Sequence, residues 1–181
     1  MTTNKGKFNE VSRMLKDAGL ECEMLDIEYP EIQSDTLEEV VKSAMASLSA
    51  NIEGDFLIDD SGLFIHSLDG FPGVFSSYVY HTIGLDGVLR VLEGSDDRDA
   101  EFRCCFGLHW KGEVRLFTGE VKGIVIREKR GEGGFGYDPI FVPLGGEKTF
   151  AEMPSEEKNK MSHRGKALQK VLEFFKERGP A

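Results

Sequence analysis

Two adjacent aspartates, Asp59 and Asp60, follow a short apolar run and precede Ser61 and Gly62. Neighbouring carboxylates repel each other, so their placement at the end of an extended segment favours a bound divalent cation. Proteins hold Mg²⁺ through one or two carboxylates, water and the phosphate oxygens of a substrate. We therefore predict Mg²⁺ as the cofactor, with Glu31 and Asp60 converging on it. Read alone, the aspartate pair also fits a solvated acidic turn.

A small, hydroxyl-rich turn spans residues 2–7 and leads into a helical pattern. Backbone N–H groups at a helix start, together with lysine charge, bind phosphate oxygens. Thr3, Asn4 and Lys7 are therefore candidate phosphate-binding residues. Many ordinary helices also begin with such a capping residue, so this segment by itself leaves that alternative open.

Two later segments have the chemistry to recognise a heterocycle. Residues 133–139 combine glycines, which let the backbone approach a ligand closely, with aromatic rings that can stack on a purine. Residues 156–164 bring cationic side chains to the start of the last helix, where acidic groups are normally preferred, so an anionic or electron-rich ligand is expected nearby. A core-covering hairpin and a solvated helix start are the corresponding structural alternatives.

Taken in order, these segments resemble the inosine triphosphate pyrophosphatase family, the pyrophosphatases of non-canonical purine nucleoside triphosphates, and most closely its archaeal-type members. The resemblance departs from the family in three places. No strand precedes the first turn, the family's Ser-Ala-Arg is Ser76-Ser77-Tyr78, and Lys42 is not in clear register with a phosphate-binding lysine of other members. The matching stretches are residues 2–7, 29–33, 59–63, 71–77, 134–139, 157–159 and 162–164.

The resemblance implies a Mg²⁺-dependent enzyme that hydrolyses ITP, dITP and XTP to the monophosphate and pyrophosphate, cleansing the nucleotide pool. It also implies an elongated, two-lobed α/β fold around a central mixed β-sheet, with flanking helices, a nucleotide cleft between the lobes and a homodimer. Asp60 would orient or deprotonate the attacking water, Phe135 would stack on the base, and His163 and Arg164 would read its 6-oxo group. The implied substrate-binding residues are Thr3, Asn4, Lys7, Ser61, Phe135, Gly136, Tyr137, Asp138, Lys158, His163 and Arg164.

Composition limits the other function classes. A formal net charge of -10 opposes binding to a nucleic-acid polymer, which depends on many Lys and Arg contacts to phosphates. The apolar runs are far shorter than the ~20 residues needed to cross a bilayer, and the start does not fit a signal peptide. We therefore expect a cytoplasmic protein with a small nucleotide as its partner, no membrane contact, and one pyrophosphatase domain over residues 1–181.

The elements that must position these residues follow from hydrophobic periodicity. Helices and strands alternate early in the chain, which indicates an α/β fold with a mixed sheet. An acidic turn at 59–62 is expected to separate two strands. The predicted helices cover 7–18 with Gly19 as C-cap, a segment from the cap Asp35 through Leu48, much of 74–92 with a break near Gly84, and 162–178 with Ser162 as cap. The predicted strands cover 21–27, 56–58, 63–65, 100–110, 113–118 and 120–127.

Two alternative functions remain open. A pyrophosphatase for other modified nucleotides would share the phosphate-binding residues and differ in the residues that read the base. A non-catalytic nucleotide-binding protein would result if the absence of the family's first strand disables the site. Release of pyrophosphate in the presence of Mg²⁺ excludes the second alternative.

Overall fold

A four-stranded sheet forms the centre of the protein, whose computed structural model describes residues 4–30 and 32–178. The α/β class is as predicted, but every strand pairing in the described part of the chain is antiparallel, so the expected mixed sheet is not found there. A parallel pair would need a further strand, and residues 21–27, which were predicted to form one, are irregular and mostly exposed. The strands are β1 (Phe56–Ile65), β2 (Asp99–Trp110), β3 (Glu113–Val125) and β4 (Phe141–Pro143), hydrogen-bonded in that order.

Helices flank the sheet, and their ends follow local capping chemistry. Gly19, which was predicted to be the C-cap of the first helix, has a left-handed φ of 78° and directly follows the observed C-cap, Ala18. The second helix begins one residue later than predicted, because the side chain of Thr36, and not that of Asp35, accepts a hydrogen bond from the Glu39 N–H at 3.3 Å. The helices are α1 (Lys5–Asp17), α2 (Leu37–Ser49), α3 (Ser76–Thr82), α4 (Gly84–Val91), α5 (Ser155–Met161) and α6 (His163–Arg178).

The two faces of the sheet bury different clusters, because successive side chains of a strand point to opposite faces. The front face packs Cys104 and Phe106 against α1 and α6, and the back face packs Ile58 and Cys105 against α2. These two clusters form one lobe. A third cluster surrounds Phe141 and includes residues of α3 and α4, and it forms the second lobe at the other end of β1 and β2. The strand β1 therefore crosses from one lobe to the other.

Two strands are longer than local sequence suggests. The expected acidic turn at 59–62 is the middle of the continuous strand β1, where Asp60 lies opposite Cys105 of β2. Likewise, Gly119 lies inside β3 opposite Cys104 and does not interrupt it. Ladder hydrogen bonds to a long neighbouring strand outweigh the turn preference of the acidic and glycine residues. Among the described residues, no helix is long and apolar enough to span a bilayer.

Candidate active site

A cleft of about 1130 Å³ is lined by residues of both lobes. Of the site residues predicted from the sequence, Thr3 and Glu31 lie outside the described residues. All the others line this one cleft, although they come from α1, β1, the loop before β4, α5 and α6. They are Asn4, Lys7, Asp60, Ser61, Phe135, Gly136, Tyr137, Asp138, Lys158, His163 and Arg164.

Arg164 in the first turn of α6 is the most highly connected of these residues, and only 2% of its surface is exposed. Its Nε donates to Asp59 Oδ2 at 3.2 Å, one terminal nitrogen donates to Glu10 Oε2 at 2.6 Å, and the other donates to Ser61 Oγ at 2.9 Å. Asp59 and Ser61 are on the front face of β1, separated by one residue, as strand alternation requires. These contacts hold the guanidinium plane in one orientation.

Lys158 forms a second buried cationic centre beside the first. Its Nζ donates to Glu10 Oε1 at 2.7 Å and to Asp138 Oδ2 at 2.6 Å, and it lies 4.7 Å from the centre of the Phe135 ring. The guanidinium of Arg164 lies 5.4 Å from the same ring. Phe135 therefore sits against two cations, an arrangement that the negative face of an aromatic ring stabilises.

The loop that carries Phe135 is closed by a carboxylate. Asp138 Oδ2 accepts a hydrogen bond from the Phe135 N–H at 2.8 Å. Gly134 has a φ of 70°, and a Cβ there would lie 2.2 Å from the same oxygen, so this turn requires glycine. The Tyr137 hydroxyl donates to the Ser76 carbonyl oxygen at 2.8 Å, which connects the loop to α3.

The buried carboxylates respond differently to their surroundings. Burial raises the pKa of Asp59, but the charges of Lys7 and Arg164 outweigh it, so the pKa is lowered overall. Burial also raises the pKa of Asp138, and there it exceeds the opposing effect of Lys158, so the pKa stays above its usual value. The Arg164 pKa is raised, because Asp59 and Glu10 outweigh the desolvation of the guanidinium.

His163 is neutral in this environment. Burial lowers the pKa of its imidazole well below the usual value, and the nearby charges of Arg164 and Lys158 add to the effect. The ring stacks on Phe102 with centroids 4.7 Å apart. Its Nδ1 is buried without a hydrogen-bond partner among the described residues. Other atoms of His163 line the cleft.

Asp60 occupies a different environment from Asp59, its neighbour in sequence. It is half-buried on the cleft wall, and its backbone lies opposite Cys105, which faces the back of the sheet and α2. Burial raises the Cys105 pKa to about 12, with contributions from Glu38 and Asp60 and an opposing one from Lys42. The charges of Glu38, Asp60 and Lys42 therefore all act on the Cys105 thiol.

The structure assigns contacts in the site to two residues that had no predicted role there, Glu10 and Asp59. Glu10 bridges Lys158 and Arg164, and it lies three residues after Lys7, a spacing that places both on one face of α1. Asp59 is paired with Lys7 at 3.3 Å and with Arg164. Lys42, whose register with a phosphate-binding lysine was unclear, does not line the cleft. The helical spacing between Lys7 and Glu10 is a sequence signal that could have identified Glu10. The ion pairs of Asp59 depend on the continuity of β1, which the local sequence did not show.

The chain is similar to known proteins, and the model of the Ham1 family matches residues 1–174. The chain belongs to the Ham1 family. The dITP/XTP pyrophosphatase of Pyrococcus horikoshii is 52% identical to it over 176 residues, which are 97% of this chain and 95% of the relative. The dITP/XTP pyrophosphatase of Thermococcus kodakarensis is 49% identical over 177 residues, which are 98% and 96% of the two chains.

Solved structures of Ham1 proteins share the fold. The Ham1 protein of Staphylococcus aureus superposes with a TM-score of 0.82 at 29% identity, covering 98% of this chain and 96% of that one. A nucleoside-triphosphatase / dITP/XTP pyrophosphatase of Mycobacterium abscessus gives a TM-score of 0.69 at 32% identity, covering 96% of each chain. The resemblance predicted from the ordered motifs is therefore confirmed at the level of family and of α/β fold.

Proposed function

We propose that this Ham1 protein hydrolyses the non-canonical purine nucleoside triphosphates ITP, dITP and XTP to the monophosphate and pyrophosphate. One observation carries the proposal. A single cleft is lined both by Asp60 of β1 and by Phe135, His163 and Arg164, whose rings and donors suit a purine base. The names of its closely similar relatives, dITP/XTP pyrophosphatases, support the same reaction.

The polyphosphate would lie on the Asp60 side of this cleft. The oxygen-only chemistry of Asp60 fits Mg²⁺, which takes one or two carboxylates and completes its coordination with phosphate and water. Asp60 would hold the ion with Glu31, which lies outside the described residues. When bound, Mg²⁺ neutralises phosphate charge and lowers the pKa of coordinated water. Asp60 would also accept the proton of the attacking water.

Lys7 and Asn4 would act at the same end of the substrate. Asn4 caps α1 by accepting a hydrogen bond from the Lys7 N–H at 3.1 Å, which fixes the helix start at the cleft. The Lys7 ammonium lies 3.3 Å from Asp59, so it is held close to β1. Phosphate oxygens approaching the helix start would meet this positive charge and the helix amides.

The base would be read by hydrogen-bond donors on the Phe135 side. Hypoxanthine and xanthine present an acceptor at position 6, whereas adenine presents a donor there. The guanidinium of Arg164 has only donors, so it would pair with the 6-oxo group of hypoxanthine or xanthine. Against adenine it would face another donor and stay unpaired. A buried donor without a partner costs about 1–3 kcal/mol, which corresponds to roughly ten- to a hundredfold in selectivity.

Three further properties belong to this proposal. We infer that the pyrophosphatase domain comprises residues 1–181, that the protein forms a homodimer, and that it acts in the cytoplasm on free nucleotides. Size-exclusion chromatography with light scattering tests the dimer. A monomer at micromolar concentration would contradict it.

A nucleotide panel tests the function. The protein is incubated with ITP, dITP, XTP, ATP, GTP and pyrimidine triphosphates, with Mg²⁺ or with EDTA, and the monophosphate, diphosphate and pyrophosphate products are quantified. We expect monophosphate and pyrophosphate from the 6-oxo non-canonical purines, and only with Mg²⁺. Preferential cleavage of a pyrimidine or another modified nucleotide would replace the proposed substrate. Tight binding without pyrophosphate release would identify a non-catalytic nucleotide-binding protein.

A further inference from the structure

The helix that carries His163 and Arg164 lies unusually close to the backbone of the sheet. At Gly119 of β3, an added Cβ would lie 2.3 Å from the His163 carbonyl oxygen and 2.5 Å from the Ala167 nitrogen. Both neighbours are backbone atoms, which cannot move aside as a flexible side chain would. Any residue other than glycine at this position would therefore push the first turn of α6 away from β3.

The first turn of α6 is confined on a second side by α5. A Cβ at Gly165 would lie 1.7 Å from the Asn159 carbonyl oxygen, so α5 approaches the helix backbone directly. The Gly165 N–H also donates to the buried Ser162 Oγ at 3.1 Å, which caps the helix at this point. Arg164 is therefore carried on a turn with backbone contacts to both β3 and α5.

Two lysines of α6 set its register along β3. Lys166 Nζ donates to the Glu120 carbonyl at 2.9 Å, and Lys170 Nζ donates to the Thr118 carbonyl at 2.7 Å. Four residues of helix advance about 6 Å and two residues of strand advance about 6.8 Å, so the two spacings match. A shift of α6 by part of a turn would break both hydrogen bonds together.

These lysines continue a row of hydrogen bonds along the outer edge of β3. The next carbonyl of the same edge, that of Lys122, accepts from the Leu144 N–H at 2.8 Å, where the chain leaves β4. The short strand β4 pairs only with Gly123, Ile124 and Val125 of β3. Beyond the end of β4, Lys166 and Lys170 donate to β3 carbonyls that point away from β2. The lysine side chains there take the place of the N–H donors of a neighbouring strand.

We propose that Gly119, Lys166 and Lys170 are positioning residues for base recognition. Together they fix the distance and the register of α6 on β3, and thereby the position of the Arg164 guanidinium relative to Asp59, Glu10 and Ser61. None of the three lines the cleft, so their effect on the substrate is exerted through α6. The inference rests on the proposed function, because it concerns how that pocket distinguishes 6-oxo purines from adenine.

The test compares Lys166→Met/Lys170→Met with Lys166→Arg/Lys170→Arg. Arginine keeps a donor that can reach the two carbonyls, and methionine keeps the length and loses the donor. We expect the methionine variant to lose about tenfold in the ITP-to-ATP ratio of kcat/KM, since a misplacement of about 1 Å in a binding site costs up to about a hundredfold. The loss should appear in the KM for ITP with kcat little changed, because the base lies away from the reacting phosphorus.

Two further variants make the result specific. Lys176→Met removes one lysine charge in the last turn of α6, away from the β3 carbonyls, and should leave the ratio unchanged. Gly119→Ala should lower the ratio more than the methionine variant, because it displaces the helix itself. Thermal unfolding of each variant confirms that the comparison is made on folded protein, and the exposed lysines keep the test valid if Gly119→Ala does not fold.

The outcomes separate the inference from the proposed function. A wild-type ITP-to-ATP ratio retained by Lys166→Met/Lys170→Met would overturn the positioning role while leaving the enzyme activity established. An equal loss in the arginine variant would also overturn it, because the donors would then be irrelevant. Wild-type protein that cleaves no purine triphosphate would reject the proposed function itself, and the positioning role with it.

Discussion

Asp59 and Asp60 are neighbours in sequence, yet the structure gives them opposite surroundings. Asp59 is on the front face of β1, where Lys7 and Arg164 lie against its carboxylate and lower its pKa. Asp60 is half-buried on the cleft wall, and its backbone lies opposite Cys105, whose face of the sheet packs against α2. Strand alternation alone separates the two carboxylates. Asp59 is ion-paired with Lys7 and Arg164, whereas Asp60 lines the cleft.

The same contrast divides the site as a whole. The ion-pair cluster, which we define as Lys7, Glu10, Asp59, Asp138, Lys158 and Arg164, pairs three cations with three carboxylates. Breaking a buried ion pair leaves an uncompensated charge, so the cluster is expected to govern stability and the orientation of the base-reading groups. The Asp60 side is expected to govern the chemical step. Substitutions on the two sides should therefore have different effects.

The largest expected effect is on turnover. We expect Asp60→Asn to lower kcat by about 10²–10⁴-fold, the range for loss of a general base, with little change in thermal stability. Steady-state kinetics with ITP and thermal unfolding measure the two quantities. Near-wild-type kcat would remove Asp60 from the chemical step.

The matched substitution on the other side is Asp59→Asn. It leaves Lys7 and Arg164 without their shared carboxylate, so we expect the free energy of unfolding at pH 7 to fall by about 3 kcal/mol. Urea denaturation measures this. A stability equal to that of Asp60→Asn would show that the two carboxylates do not differ in the way the ion pairs indicate.

A smaller effect is expected on selectivity. Arg164→Ala should reduce the preference for ITP over ATP by about ten- to a hundredfold, because the donors that face position 6 are lost. The substitution also removes a partner of Asp59, so its unfolding free energy must be measured alongside. Lys7→Ala is the control, because it removes a cation from the same carboxylate without removing a base-reading donor. Unchanged relative rates for Arg164→Ala would exclude Arg164 from base recognition.

The smallest effect is a dependence of stability on pH. The His163 pKa is lowered in the folded protein, so below the usual histidine pKa near 6.5 the unfolded chain takes up a proton that the folded chain does not. Stability is therefore present above that pH and is lost as the pH falls, by at most about 1.4 kcal/mol per pH unit. Unfolding of wild type and His163→Gln between pH 7.5 and 5 should show a shallower decline in the variant. Parallel curves would show that His163 does not contribute.

The site was more predictable than the sheet. Capping residues, glycines and cationic groups interact with their near neighbours, so the chemistry of residues 133–139 and 156–164 was visible locally. Strand ends depend on distant partners. The pairing of β1 with β2 converted an expected turn into strand. Residues 21–27 were predicted to form a strand, and nothing in their local sequence indicated that they are irregular.

The polar stretch before α6 shows the same limit. Residues 155–161 form α5 although they lack an apolar stripe, and the buried residues of this helix are the polar Lys158 and Asn159. Lys158 reaches Glu10, which is 148 residues away in sequence. No periodicity argument predicts an ion pair of that separation.

The amino-acid sequence by itself determined the family, the residues with chemistry to offer and the glycines that let the backbone approach closely, because these depend on residue type and order. Only the tertiary structure decided which aspartate is ion-paired with Lys7 and Arg164, that Glu10 joins two cations, and that α6 is held against β3 at Gly119. Those outcomes depend on the face of a strand and the distance between remote elements. Burial then amplifies small differences in position into large differences in charge stabilisation.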